Sequence, residues 1–150
     1  MTIEEVLEEY PLKIYEWKDK MPQDSPAALI DSGDRSAVFL SQPMKYTAAE
    51  IKVSLAHEEG HYMTGATHKM MSPLDLISQH EYKANSYAYK KLVPMDDLME
   101  KVSSGVYNIY ELSDLYDVPV QFLVDTVTYY IRHDQGFSDM VDKLRFEDKK

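Results

Sequence analysis

Residues 57 to 61 read HEEGH. Histidines four apart on a helix share one face with Cβ atoms about 5–6 Å apart, so both imidazoles can converge on one Zn²⁺ at about 2.0–2.1 Å. Glu58 is rotated a quarter turn from that pair. It is poorly placed to ligate beside them and well placed to reach a water in an open coordination position. In such an arrangement zinc polarises a scissile carbonyl, while the glutamate takes a proton from the water and passes it to the leaving amine. Three ligands and one open position are required. The string arises by accident in roughly one per cent of scrambled chains of this composition, which disfavours a plain pair of surface histidines.

The third ligand has two candidates. Glu81 follows His61 by 20 residues and sits at the centre of an apolar helical stripe of Leu74, Ile77, Ala84, Ala88 and Leu92. An unpaired carboxylate there is costly, so Glu81 needs a cation or a proton. His68 lies near Gly65, but an HExxHxxGxxH pattern wants Gly and His where this chain has Thr64 and Thr67. Metal geometry tolerates little slippage on a short turn, and Glu81 is preferred. Asn85, one turn beyond Glu81, then becomes a candidate to orient a ligating histidine through its free ring nitrogen.

The elements that must position these residues carry their own signals. Thr47 and Glu50 form a capping box before an apolar-periodic stretch, which predicts a helix with Ala48, Ile51, Leu55 and Tyr62 on one side and both histidines on the other. Glu59 falls on the flank of Lys52 and is expected to face water. Ser72 and Pro73 predict the start of a second helix, roughly five turns long, that carries Glu81 and closes near Pro94. Upstream, AALIDSGDRSAVFLS is two β-permissive runs around Asp31 to Asp34, a hairpin signature. Its second run, residues 36 to 41, is the candidate edge strand to pair with a substrate backbone. Thr2 and Glu5 form another capping box, with Ile3, Val6, Leu7 and Tyr10 on one side, and PLKIYEWKDKMP fits helix or strand.

The C-terminal third reads as a short helix, a turn at Val118 and Pro119, and a longer helix with Val120, Leu123, Val124, Val127 and Ile131 inward. That outline is a helix-turn-helix, yet between 107 and 132 it sets Glu111, Asp114, Asp117 and Asp125 against Arg132 alone, a poor composition for reading DNA. The tail has weak helical periodicity through Phe137, Met140, Val141 and Leu144.

Composition bounds the rest. At 150 residues and 44% hydrophobic, the chain suits one domain, 1–150, with a catalytic core near 35–95 and a helical C-terminal part near 105–135. The net charge of −10, from 26 acids against 16 Lys and Arg, repels phosphate backbones and argues against direct nucleic-acid binding. Zero cysteines remove disulfides and thiolate metal sites. The acidic start MTIEEVLEEY is no signal peptide and no apolar run approaches membrane-spanning length, so a cytoplasmic protein is expected.

LAHEEGHYM followed by HEYKANSYAYKKLVP resembles the ImmA/IrrE-type metallo-endopeptidases, whose pattern is HExGH and then a helix with ExxxN or ExxxD, ending in Leu-x-Pro. Glu81, Ala84, Asn85, Tyr87, Ala88, Leu92 and Pro94 follow that order, and ELSDLYDVPVQFL is similar to the segment after the catalytic part, so the resemblance spans roughly residues 35 to 132. Glu59 stands where Leu is usual, and Lys83 where a second Glu is usual. The resemblance implies an α+β, zincin-like fold of gluzincin type: a short antiparallel sheet, an HExxH helix, a second ligand-bearing helix and a helical C-terminal third. It implies zinc held by His57, His61 and Glu81, with Glu58 as catalytic base. Such proteins are typically cytoplasmic, often from phages and mobile elements, and several cleave a helix-turn-helix repressor. The alternatives are a stoichiometric anti-repressor with a structural zinc and a DNA-binding regulator acting through residues 110–132.

Overall fold

A computed structural model of the chain describes residues 1–17, 26–31, 35–41, 46–65, 74–106 and 108–148. The chain divides into two compact units, Met1–Leu92 and Val93–Lys150. The fold is α+β, with seven helices and one three-stranded sheet among the described residues.

Unit one opens with α1 (Ile3–Glu8), started by the expected capping box: the Thr2 hydroxyl accepts from the Glu5 N–H at 3.2 Å and the Glu5 carboxylate accepts from the Thr2 N–H at 3.0 Å. Val6 is buried, Ile3 and Tyr10 are half-buried, and Leu7 is exposed. The segment compatible with helix or strand forms β1 (Lys13–Trp17).

β2 (Ala27–Asp31) and β3 (Ser36–Ser41) pair antiparallel from Ala27↔Leu40 to Asp31↔Ser36, as the hairpin signature predicts; residues 32–34 lie outside the described residues. β1 pairs parallel with the other side of β3, giving the order β1-β3-β2. Two expectations are corrected here. The sheet is mixed and not antiparallel, because the chain reaches β3 from β1 by way of β2, a long connection that permits parallel pairing. Residues 36–41 are the central strand and not an edge. Val38, Phe39 and Leu40 make this strand strongly apolar, while Lys13 and Glu16 leave the charged β1 at a solvent edge.

α2 (Ala48–Met63) begins at the predicted box, the Thr47 hydroxyl accepting from the Glu50 N–H at 3.1 Å. Its buried face departs from the expected stripe: Lys52, Leu55, Ala56, Glu59, Gly60 and His61 are buried, whereas Tyr62 is exposed. The helix packs against α1, β2 and the next helix, so it is covered from several directions and apolar periodicity does not define its interior. Buried charge then requires partners. The Lys52 ammonium donates to the Met1 carbonyl at 2.8 Å, and Glu59 pairs with Lys91. The expectation that Glu59 faces water is therefore corrected.

α3 (Leu74–Leu92) buries Ala84, Ala88 and Leu92 and leaves Ile77 half-buried. The predicted cap at Ser72 and Pro73, and the Leu74 side chain, lie outside the described residues.

Unit two is helical: α4 (Met95–Ser103), α5 (Ile109–Tyr116), α6 (Val120–His133) and α7 (Gln135–Asp148). The Asn108 side chain caps α5 by accepting from the Tyr110 and Glu111 N–H groups, and Asp117 ends it in the left-handed region at φ 51°. The inward face of α6 is also corrected. Leu123 is buried as expected and Val120, Val127 and Ile131 are half-buried, but Val124 is exposed, and Phe122, Thr126 and Tyr130 are buried instead, the two rings bringing large apolar area to that face. Among the described residues no helix is long and apolar enough to cross a membrane.

Candidate metal centre

His57 and His61 lie one turn apart on α2, and α3 brings Glu81 to both. The two Nε2 atoms are 3.2 Å apart, Glu81 Oε2 is 2.9 Å from His57 Nε2, and Glu81 Oε1 is 3.0 Å from His61 Nε2. These separations are close to the ~3.3 Å edge of a tetrahedron with metal–ligand bonds of about 2.0–2.1 Å. The rings stand nearly perpendicular, at 89°, so the nitrogens converge while the rings avoid each other. His57, His61 and Glu81 form a group that could hold a metal ion. Two nitrogens and one carboxylate are the donor chemistry expected for a borderline divalent metal.

Burial grades across the group. The His61 side chain is 7% exposed, that of His57 21% and that of Glu81 42%. Glu81 is thus half-exposed and not fully buried as its place in the stripe suggests. Hydrogen bonds from His57, then from His61, hold the Glu81 carboxyl well below the usual carboxylate range. Asn85 follows one turn later, half-buried. His68 lies outside the described residues.

Glu58 is not one of the three grouped donors. Its Oε2 accepts a hydrogen bond from the Leu29 N–H of β2 at 3.0 Å. Burial pushes the Glu58 carboxyl up, opposed by the neighbouring His57 and His61 and by that N–H. A carboxylate held at one oxygen, with raised basicity, beside a donor group of this kind is equipped to receive a proton.

Three participants escaped the sequence reading. The Leu29 N–H is backbone and leaves no mark in the side-chain pattern. Gly60 does leave one, since a glycine inside a helix costs roughly 1 kcal/mol relative to Ala and so signals close approach. A Cβ built there would lie 2.6 Å from the Ala84 carbonyl oxygen, so only glycine lets α2 and α3 come this near. The third is the buried pair of Glu59 with Lys91; burial and then the nearby Glu59 carboxylate push the Tyr87 hydroxyl up.

Compared with protein-family models, with curated proteins and with solved structures, the chain matches none.

Proposed function

We propose that this protein is a zinc-dependent endopeptidase that cleaves a cytoplasmic regulatory protein, with a helix-turn-helix repressor as the substrate class suggested by the resemblance to ImmA/IrrE-type enzymes. The observation that carries the reading is the convergence of His57, His61 and Glu81 donor atoms, with Glu58 adjacent in sequence and fixed by a separate hydrogen bond. Zinc held by the three donors would polarise a peptide carbonyl and lower the pKa of a water to about 7. Glu58 takes the proton from the attacking water and delivers it to the leaving amine; the Leu29 N–H keeps one oxygen of Glu58 in place while the other works. Asn85 is proposed to orient a ligating histidine. Because β3 is covered on both sides, the outer edge of β2 is the strand edge beside α2, and it is the proposed seat of an extended substrate segment.

The test is a pair of conservative variants. Purified protein should bind about one Zn²⁺ per chain. Glu81→Gln should lose metal affinity by about 10-fold or more, whereas Glu58→Gln should keep the metal and lose cleavage of a candidate repressor by about 10²–10⁴-fold. Cleavage by Glu58→Gln at the native rate would refute the assignment. Action on the repressor only at one-to-one stoichiometry would indicate a binding protein in place of an enzyme.

A further inference from the structure

Tyr62 has no part in the core: the apolar periodicity of α2 calls for it inside, and the structure leaves it 41% exposed. A tyrosine on the surface of a helix is ordinary in itself. Its place on α2 is what matters. Tyr62 follows Glu58 by one turn, so the two residues lie about 40° apart around the helix axis and roughly 6 Å apart along it.

Glu58 marks which side of the helix this is. Its carboxylate reaches the Leu29 N–H, and β2 is an edge strand, paired within the sheet with β3 alone. The side of α2 that carries Glu58 and Tyr62 therefore faces β2, whereas Glu81 joins the two histidines from α3. A ligand seated on the β2 edge with one atom at the metal group passes over the row of Glu58 and Tyr62. Helical side chains lean toward the N-terminus, so the Tyr62 ring covers the turn that holds Glu58 and His61. An extended chain advances about 3.3 Å per residue, so a ring within roughly 6 Å of Glu58 stands beside one of the first residues flanking the scissile bond.

We propose that the Tyr62 ring walls an apolar substrate subsite beside the metal group and selects a large apolar or aromatic side chain on a residue flanking the scissile bond. The proposal rests on the reading of His57, His61 and Glu81 as zinc ligands and of the β2 edge as the substrate's seat. Tyr62 is a specificity residue here: it touches the substrate side chain and takes no proton.

The test uses two probes with the same metal-binding group, the hydroxamates of N-acetylglycine and of N-acetylphenylalanine, which differ only by the benzyl side chain. Zinc content is measured first, and each probe is then titrated calorimetrically into the zinc-loaded protein. The native protein should bind the phenylalanine probe about 10-fold more tightly than the glycine probe, the worth of one ring contact and its buried area. Tyr62→Ser should remove that preference while keeping zinc and the affinity for the glycine probe, and Tyr62→Phe should keep the preference. A merely structural tyrosine would move both probes together. Equal affinity for the two probes in the native protein overturns the subsite and leaves the metal site standing. So does a preference that Tyr62→Ser retains, a preference that Tyr62→Phe loses, or a loss of both probes together in Tyr62→Ser. No zinc uptake, or zinc bound without affinity for either probe, overturns the metal site as a reaction centre and the subsite with it.

Discussion

α2 and α6 are helices of similar length with opposite interiors. α2 buries Lys52, Glu59 and His61 beside Leu55 and Ala56, whereas α6 buries Phe122, Leu123 and Tyr130 with Thr126, whose hydroxyl is satisfied by the Phe122 carbonyl at 2.8 Å. The α6 interior gains its stability from apolar area, at about 25 cal/mol per Å² removed from water. The α2 interior gives up part of that gain to hold charged and titratable groups at fixed places, which is tolerable only because each finds a partner. Unit two is built as an ordinary core; unit one is built around positions. The comparison predicts that damage in unit two is paid in stability, and damage in unit one in geometry.

The largest expected stability effect tests the first half of that statement. Leu123 is fully buried, and Leu123→Ala should destabilise unit two by about 2–5 kcal/mol through lost burial and the cavity left behind. Metal affinity at His57, His61 and Glu81 should not change. The single tryptophan, Trp17, lies in unit one, so its fluorescence follows that unit while far-UV circular dichroism follows all helices. An altered zinc affinity in Leu123→Ala would break the comparison by coupling the two interiors.

Gly60→Ala tests the second half. The added Cβ meets the backbone of Ala84 and not a flexible side chain, so α3 itself must move. Overpacking of this kind costs about 1–3 kcal/mol. The stability change should be smaller than for Leu123→Ala, yet zinc affinity should fall by about 10-fold or more, since the displaced helix carries Glu81. Chelator competition beside urea unfolding gives both numbers. Lost stability with native zinc affinity would show that the site adapts and is not held by the helix contact.

The same contrast explains what was legible in the sequence. Capping boxes at Thr2 and Thr47, the paired strands 27–31 and 36–41 and the four-residue spacing of His57 and His61 depend on local pattern, and each has its counterpart in the structure; Glu81 stands out as a carboxylate set in an apolar stripe, and the structure brings it to both histidines. Failures arose where tertiary contacts decide. The burial of Lys52 and Glu59 depends on Met1 and Lys91, which lie far away in sequence. The central place of β3 depends on β1 arriving from the other side, a choice made by the whole sheet. α4 begins after Pro94 without a side-chain cap, so its start carries no local signature of the kind seen at Thr47.

The smallest expected effect compares one tyrosine from each unit. The Tyr10 hydroxyl donates to the Leu55 carbonyl at 2.6 Å, and the Tyr130 hydroxyl donates to the Val93 carbonyl at 2.7 Å. Burial comes first in pushing both hydroxyls up; for Tyr10 the Glu59 and Glu58 carboxylates add to it, and for Tyr130 its neighbour Tyr129 does. Either Phe variant should lose roughly 0.5–1.5 kcal/mol near pH 8, the net worth of one hydrogen bond. The sign of the pH dependence follows from the raised folded-state values. The stabilisation is fully present below the unfolded pKa of about 10 and declines above it, because the unfolded chain ionises while the folded hydroxyl stays protonated. Phenylalanine does not titrate, so the penalty should shrink by about 1.4 kcal/mol per pH unit above 10 and reverse sign near pH 11. Urea unfolding of each variant against the native sequence at pH 8 and pH 11 measures the reversal directly. A penalty for Tyr10→Phe that stays constant across that range would mean that its hydroxyl ionises as easily folded as unfolded, and the interior beneath α2 would then be wetter and less restrictive than its buried charges require.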